Sequence, residues 1–163
     1  MKKLIFLLSL LIAFVCSSQD LTTFVLVRHA EKGSDGTNNP PLTEEGKIRS
    51  ENLAKMFSRQ EVAALYSTPY ARTRQTLAPL AGIKSLKVNQ YDPSSGKEWL
   101  ESLATKHSGQ TVMISGHSNT IPGLANALLG EETLTQFDEK DYTNLIIIVA
   151  NKVGSGKLIR LKF

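Results

Sequence analysis

The sequence predicts a three-layer α/β/α sandwich on a mixed, mostly parallel central sheet. Two observations lead there. Short β-branched and apolar runs alternate with stretches of helical periodicity along most of the chain, which is the pattern of strand–helix–strand units. The last two apolar runs are instead joined by a Gly-containing turn, so they close as a hairpin and make one edge antiparallel.

Each element has its own signal. Residues 24–27 form a first buried strand, and the Gly-, Asn- and Pro-rich stretch 33–41 is a loop. Thr43 caps a helix running through Ser58, with Ile48, Leu53, Met56 and Phe57 expected on its inner face. Residues 63–66 form a second strand, after which Pro69 suits the first turn of a helix through 72–80. A third strand spans 86–91. Ser95 and Glu98 have capping-box spacing, and Trp99, Leu100, Leu103 and Ala104 follow at helical intervals. Residues 112–114 give the fourth strand, and a helix over 122–129 is stopped by Gly130. The hairpin pairs 145–149 with 158–161 across a turn holding Gly154 and Gly156.

The chain has 163 residues, 41% hydrophobic, 21% charged and 7% aromatic, which are the proportions of a globular domain and exclude disorder, collagen and coiled coil. Residues 1–18 read as a signal peptide. Lys2 and Lys3 precede an apolar run from Leu4 to Val15, and small residues, Cys16 and Ser18, stand before Gln19. That run falls short of the ~20 residues a spanning helix needs. Cys16 as a lipid anchor is the alternative, against which stands the bulky Val15. The remaining domain, 19–163, is therefore expected to be periplasmic or secreted, with no stable membrane span. Lys2 and Lys3 supply half of the formal charge of +4, and no basic run remains to suggest nucleic acid as a partner. The single Cys lies in the leader, which excludes thiol catalysis and thiolate metal sites in the domain.

In an open α/β sheet, ligands bind beyond the carboxyl ends of the strands. After strand one come Arg28-His29-Ala30-Glu31-Lys32. Ser67-Thr68-Pro69 follows strand two and leads to Arg72 and Arg74; Asp92 follows strand three; Gly116-His117-Ser118-Asn119 follows strand four. Arginine suits bidentate recognition of phosphate, and a histidine among such cations is a phosphate donor or a nucleophile. The helix beginning after His117 would aim backbone N–H groups at the same place.

Leu26-Val27-Arg28-His29-Ala30, then Ser67-Thr68-Pro69-Tyr70-Ala71-Arg72, then Gly116-His117-Ser118-Asn119 resembles the histidine phosphatase superfamily in its phosphoglycerate-mutase-like branch. The resemblance implies that His29 is the nucleophile that becomes phosphorylated. It implies that Arg28, Arg72 and His117, with Ser118, hold the phosphoryl group. It also places an acid after the third strand, where Asp92 stands. Ala30 replaces a residue that is often Gly in the family. The expected function is hydrolysis of small phosphomonoesters without metal or cofactor. The alternatives are a phosphohistidine protein phosphatase and a phosphate-binding module without turnover.

The remaining signals are weaker. Glu31 is a second candidate acid, Arg74 and Lys32 read as rim charges, and His107 reads as a partner for a helix C-terminus. A serine hydrolase is disfavoured because Thr120 replaces the last Gly of a nucleophile elbow and no histidine follows His117. The stretch around Gly154 lacks the first Gly and the Ser/Thr of a P-loop. A metal held by His29, His117 and Asp92 would face repulsion from the neighbouring arginines.

Overall fold

The computed structural model describes residues 20–163, so the leader expected at 1–18 lies outside the described residues. The described elements are β1 (Thr22–Arg28), α1 (Glu44–Phe57), β2 (Ala64–Ser67), α2 (Ala71–Lys84), β3 (Val88–Gln90), α3 (Gly96–Lys106), β4 (Thr111–Gly116), α4 (Thr120–Leu129), β5 (Asn144–Ala150) and β6 (Lys157–Lys162). The sheet order is β3-β2-β4-β1-β5-β6. β3, β2, β4 and β1 run parallel, while β5 pairs antiparallel with both β1 and β6. The expected sandwich with one mixed edge is what forms.

Strand alternation divides the core into two layers. Phe24, Leu26, Val112 and Ile114 face α3 and α4, where Leu100, Leu103, Ile121, Leu124 and Leu128 meet them. Val25, Val27, Leu65 and Met113 face α1 and α2, against Leu53, Phe57, Leu77 and Leu80. Each fully buried side chain of this kind contributes about 1.5–3 kcal/mol of transfer free energy. Among the described residues no helix is long and apolar enough to cross a membrane.

Helix α1 starts as expected. Thr43 accepts from Gly46 N at 3.1 Å, and Glu44 and Glu45 complement the dipole in the first turn. Its inner face differs from the expected one. Ile48 and Met56 are 59% and 44% exposed, and the buried positions are Gly46, Ser50, Leu53, Ala54 and Phe57. The reason is close approach: a Cβ at Gly46 would fall on the Glu31 carbonyl oxygen and lie 3.0 Å from Glu31 N. Small residues therefore hold the inner face near the helix start, and a search for large apolar residues follows the wrong stripe.

Three smaller differences are local. Helix α2 begins at Ala71, with Tyr70 at the N-cap position and Pro69 outside the helix. Ser95 makes no capping bond; the Asp92 carboxylate shapes this turn by accepting from Ser94 N and Oγ at 2.9 and 2.7 Å. β3 is limited to Val88–Gln90, an edge strand paired only with β2.

Gly46→Ala should destabilise the protein by about 1–3 kcal/mol, because the added methyl meets backbone that cannot swing aside. In an unobstructed helix the same change would stabilise by roughly 0.5–1 kcal/mol. A thermal melt of the variant checks the sign.

Candidate active site

β1 and β4 are neighbours, and their following helices leave on opposite faces of the sheet, α1 on one and α4 on the other. Their carboxyl ends thus flank a topological switch point, where a crevice opens. His29 extends the ladder past β1 by donating its N–H to Gly116 O at 2.9 Å. His117 lies just past β4, and the two imidazole rings are 5.5 Å apart between centroids.

His29 is oriented by its own chain. Its Nδ1–H donates to Ala30 O at 2.7 Å, since a carbonyl can only accept, and this leaves the Nε2 lone pair available. Burial first, then the charges of Arg28 and Arg72, lowers its pKa to about 3, against the opposing pull of the Ala30 carbonyl.

His117 is fixed from the other side. Its Nε2 pairs with Thr68 Oγ1 at 3.0 Å, and Arg72 Nη2 stands 3.5 Å from Nδ1. A guanidinium only donates, so Nδ1 is the unprotonated nitrogen and Nε2–H donates to Thr68. Burial, then Arg72 and Arg28, lowers the His117 pKa to about 4.

The two guanidiniums frame the histidines differently. Arg28 has no exposed surface; its Nη1 donates to Asp138 O and Asp141 O, and its Nη2 meets Glu139 Oε2 at 2.9 Å. The Tyr142 ring covers it, with Cζ 4.2 Å from the ring centroid. Arg72 lies over the Tyr70 ring and is less deeply held. Both leave a buried Nε without a partner. Burial, then Arg28, pushes the Arg72 pKa down.

Around these groups is a cavity of about 450 Å³ lined by His29, Arg72, His117, Ser118, Lys32 and Glu139 among others. The uncapped start of α4, Ser118 to Thr120, supplies one wall. A hollow of equal volume at the opposite end of the strands, around Val62, Lys84 and Gly109, contains neither histidine nor arginine. Among the described residues no cluster of metal-ligating side chains exists.

The structure therefore brings together His29, Arg28, Arg72, His117 and Ser118. Asp92 is exposed and engaged with Ser94; its neighbour Pro93 reaches the cavity lining, and Asp92 does not. Glu31 is held away by Arg49, whose Nε donates to both carboxylate oxygens at 2.8 and 3.0 Å. Arg74 is exposed and absent from the lining, whereas Lys32 is part of it. His107 bonds Tyr66 Oη and Gln110 within the fold. Sequence reasoning missed Glu139 and Tyr142, which reach the site from an irregular segment with no motif. Tyr70 was within reach, because it stands inside the Ser67 to Arg72 motif.

Residues 24–93 match the family profile described as the histidine phosphatase superfamily, branch 1. Phosphoserine phosphatase 1 of Hydrogenobacter thermophilus is 35% identical over 78 residues, which are 44% of this chain and 37% of that protein. The chain thus spans little more than a third of that relative's length. Two solved structures share the fold. The protein histidine phosphatase SixA complexed with tungstate superposes with a TM-score of 0.70 at 18% identity, covering 86% of this chain and 96% of that one. A mycobacterial glucosyl-3-phosphoglycerate phosphatase gives a TM-score of 0.72 at 11% identity, with 88% and 98% covered.

Both site histidines should remain neutral across pH 5–8. A depressed pKa means the proton binds only below it, so the acid limb of kcat/KM should fall near pH 3–4 and not near 6.5, the ordinary histidine value. A pH profile corrected for the substrate's own ionisation measures this.

Proposed function

We propose that this protein is a phosphatase that hydrolyses phosphomonoesters through a phosphohistidine formed on His29, with no metal required. The observation that carries the reading is His29 itself: a neutral imidazole with Nδ1–H tied to Ala30 O, beside two guanidiniums that retain buried unpartnered donors. A residue serving only to bind anions would gain nothing from an available lone pair at that point.

The reaction divides into two transfers. His29 Nε2 attacks phosphorus while Arg28, Arg72 and Ser118 bind the equatorial oxygens, where charge collects in the transition state; the incoming dianion raises the His117 pKa, and a proton taken up on Nδ1 lets His117 donate to them as well. Water then cleaves phospho-His29 in the second step. The arginines supply the positive charge that a metal would otherwise provide. A phosphomonoester carries about −1.5 to −2 charge, which the clamp matches. We infer from the residue 1–18 pattern that the enzyme is exported to the periplasm or outside the cell, which favours small phosphorylated compounds as substrates.

Turnover of p-nitrophenyl phosphate should survive EDTA and be lost in His29→Ala, and rapid acid-free quenching of the wild type should trap phosphohistidine. Arg72→Lys, which keeps the charge and loses the fork, should lower kcat by about 10²–10³. Phosphate binding by the wild type with no turnover of any phosphomonoester would identify a binding module. Turnover confined to phosphohistidine peptides would identify a protein phosphatase.

A further inference from the structure

The first transfer needs a proton at the leaving oxygen, and the two acids suggested by sequence order are engaged elsewhere. Asp92 is exposed and engaged with Ser94, and Glu31 is bound by Arg49. Among the residues that line the catalytic cavity there is one carboxylic acid, Glu139. It comes from the irregular segment between α4 and β5. Its Oε2 lies 2.9 Å from Arg28 Nη2, and its Oε1 accepts a hydrogen bond from Ser118 Oγ. The side chain is nonetheless 60% exposed, so it has room to turn.

We propose that Glu139 is the acid–base group of this reaction, donating a proton to the leaving oxygen and then taking one from the hydrolytic water. The proposal rests on the phosphatase reading given above.

The geometry couples the acid to the substrate. In this structure the Ser118 hydroxyl first, then the Arg28 and Lys32 charges, keep the Glu139 carboxyl below its usual pKa. A phosphoryl group seated on Arg28 and Ser118 takes those donors for its own oxygens. Glu139 is then released beside a dianion, and like-charge repulsion favours its protonation. The ligand that requires an acid thereby creates one.

The steps balance. The Nε2 lone pair of His29 forms the N–P bond as the ester P–O bond breaks, its electron pair staying on the leaving oxygen. The Glu139 proton passes to that oxygen, leaving a carboxylate. A water oxygen then attacks phosphorus, the N–P electron pair returns to Nε2, and the water's proton goes to Glu139. Inorganic phosphate and the alcohol are the products.

The test is how much the loss depends on the leaving group. In Glu139→Gln, kcat/KM, which reports the first transfer, should fall on an alkyl ester such as β-glycerophosphate by at least about 100-fold, the usual scale of general-acid catalysis. The fall on p-nitrophenyl phosphate should be several-fold smaller, because a nitrophenolate departs with little need for a proton. Glu139→Asp should recover part of the alkyl rate, and melting curves of both variants check that they fold. Equal losses on the two esters would overturn the proposal. So would tighter phosphate binding with kcat unchanged, which would make Glu139 only a competitor for the clamp, or the same leaving-group signature in Asp92→Asn instead. A wild type that forms no phosphohistidine and turns over neither ester fails at the earlier step and removes the phosphatase reading itself.

Discussion

A guanidinium with no exposed surface constrains everything at the carboxyl end of this sheet. Burying an unpaired charge is prohibitively unfavourable, so Arg28 must find partners wherever the strand leaves it. By strand alternation it falls on the same face as Phe24 and Leu26, the side covered by α3 and α4. The chain leaving α4 provides those partners. Two carbonyls, Asp138 O and Asp141 O, the Glu139 carboxylate and the face of Tyr142 converge on it. That demand fixes a segment without regular structure. Its start is tied down by Asn126, which accepts from Thr133 and Leu134 N and donates to Leu134 O, and its middle by Phe137 N on Ser118 O.

The residues around His29 extend the same logic in three directions. Arg28 reaches the segment before β5, Ala30 N donates to Thr76 Oγ1 of α2, and Glu31 grips Arg49 of α1. Thr76 in turn donates to Arg72 O, so the bond that fixes the backbone after His29 also fixes the helix turn that carries the second arginine. Arg49 continues to Phe163 O at 2.6 Å and joins the end of the chain to the same brace. Each neighbour of His29 thus anchors a different element, and the backbone that carries the imidazole is braced from three sides. Glu31 matters as part of this brace, which explains how a carboxylate two residues from His29 is kept out of the cavity.

The fold and half of the site were legible because both depend on local pattern and strand order. Alternating strands and helices gave the sandwich, the terminal hairpin gave the mixed edge, and reading past each strand end collected Arg28, His29, Arg72, His117 and Ser118. The failures are tertiary. Ile48 and Met56 misled because helix α1 approaches the Glu31 backbone through Gly46, and size alone does not reveal which stripe is close-packed. Asp92 satisfied the order of motifs, yet its carboxylate was taken by the turn it initiates. Glu139 could not be read at all, since what brings it to the site is the need of Arg28 for a partner more than a hundred residues earlier in the chain.

Under the proposed phosphohistidine mechanism, the electrostatics of His29 resolve an apparent conflict in the chemistry. A nucleophilic imidazole must be neutral before attack, and burial with two neighbouring guanidiniums secures this by lowering its pKa to about 3. The same surroundings would oppose the positive charge that grows on the ring as Nε2 bonds to phosphorus. Two features offset that opposition at the moment it arises. The incoming phosphoryl group neutralises the arginines that disfavoured the cation. The Ala30 carbonyl, 2.7 Å from Nδ1, stabilises the charge on the far side of the ring and is the one local interaction that raises the pKa. The proposed nucleophile is thus kept unprotonated by groups that a bound phosphoryl group would silence, while the group that favours the charged ring is backbone and does not move.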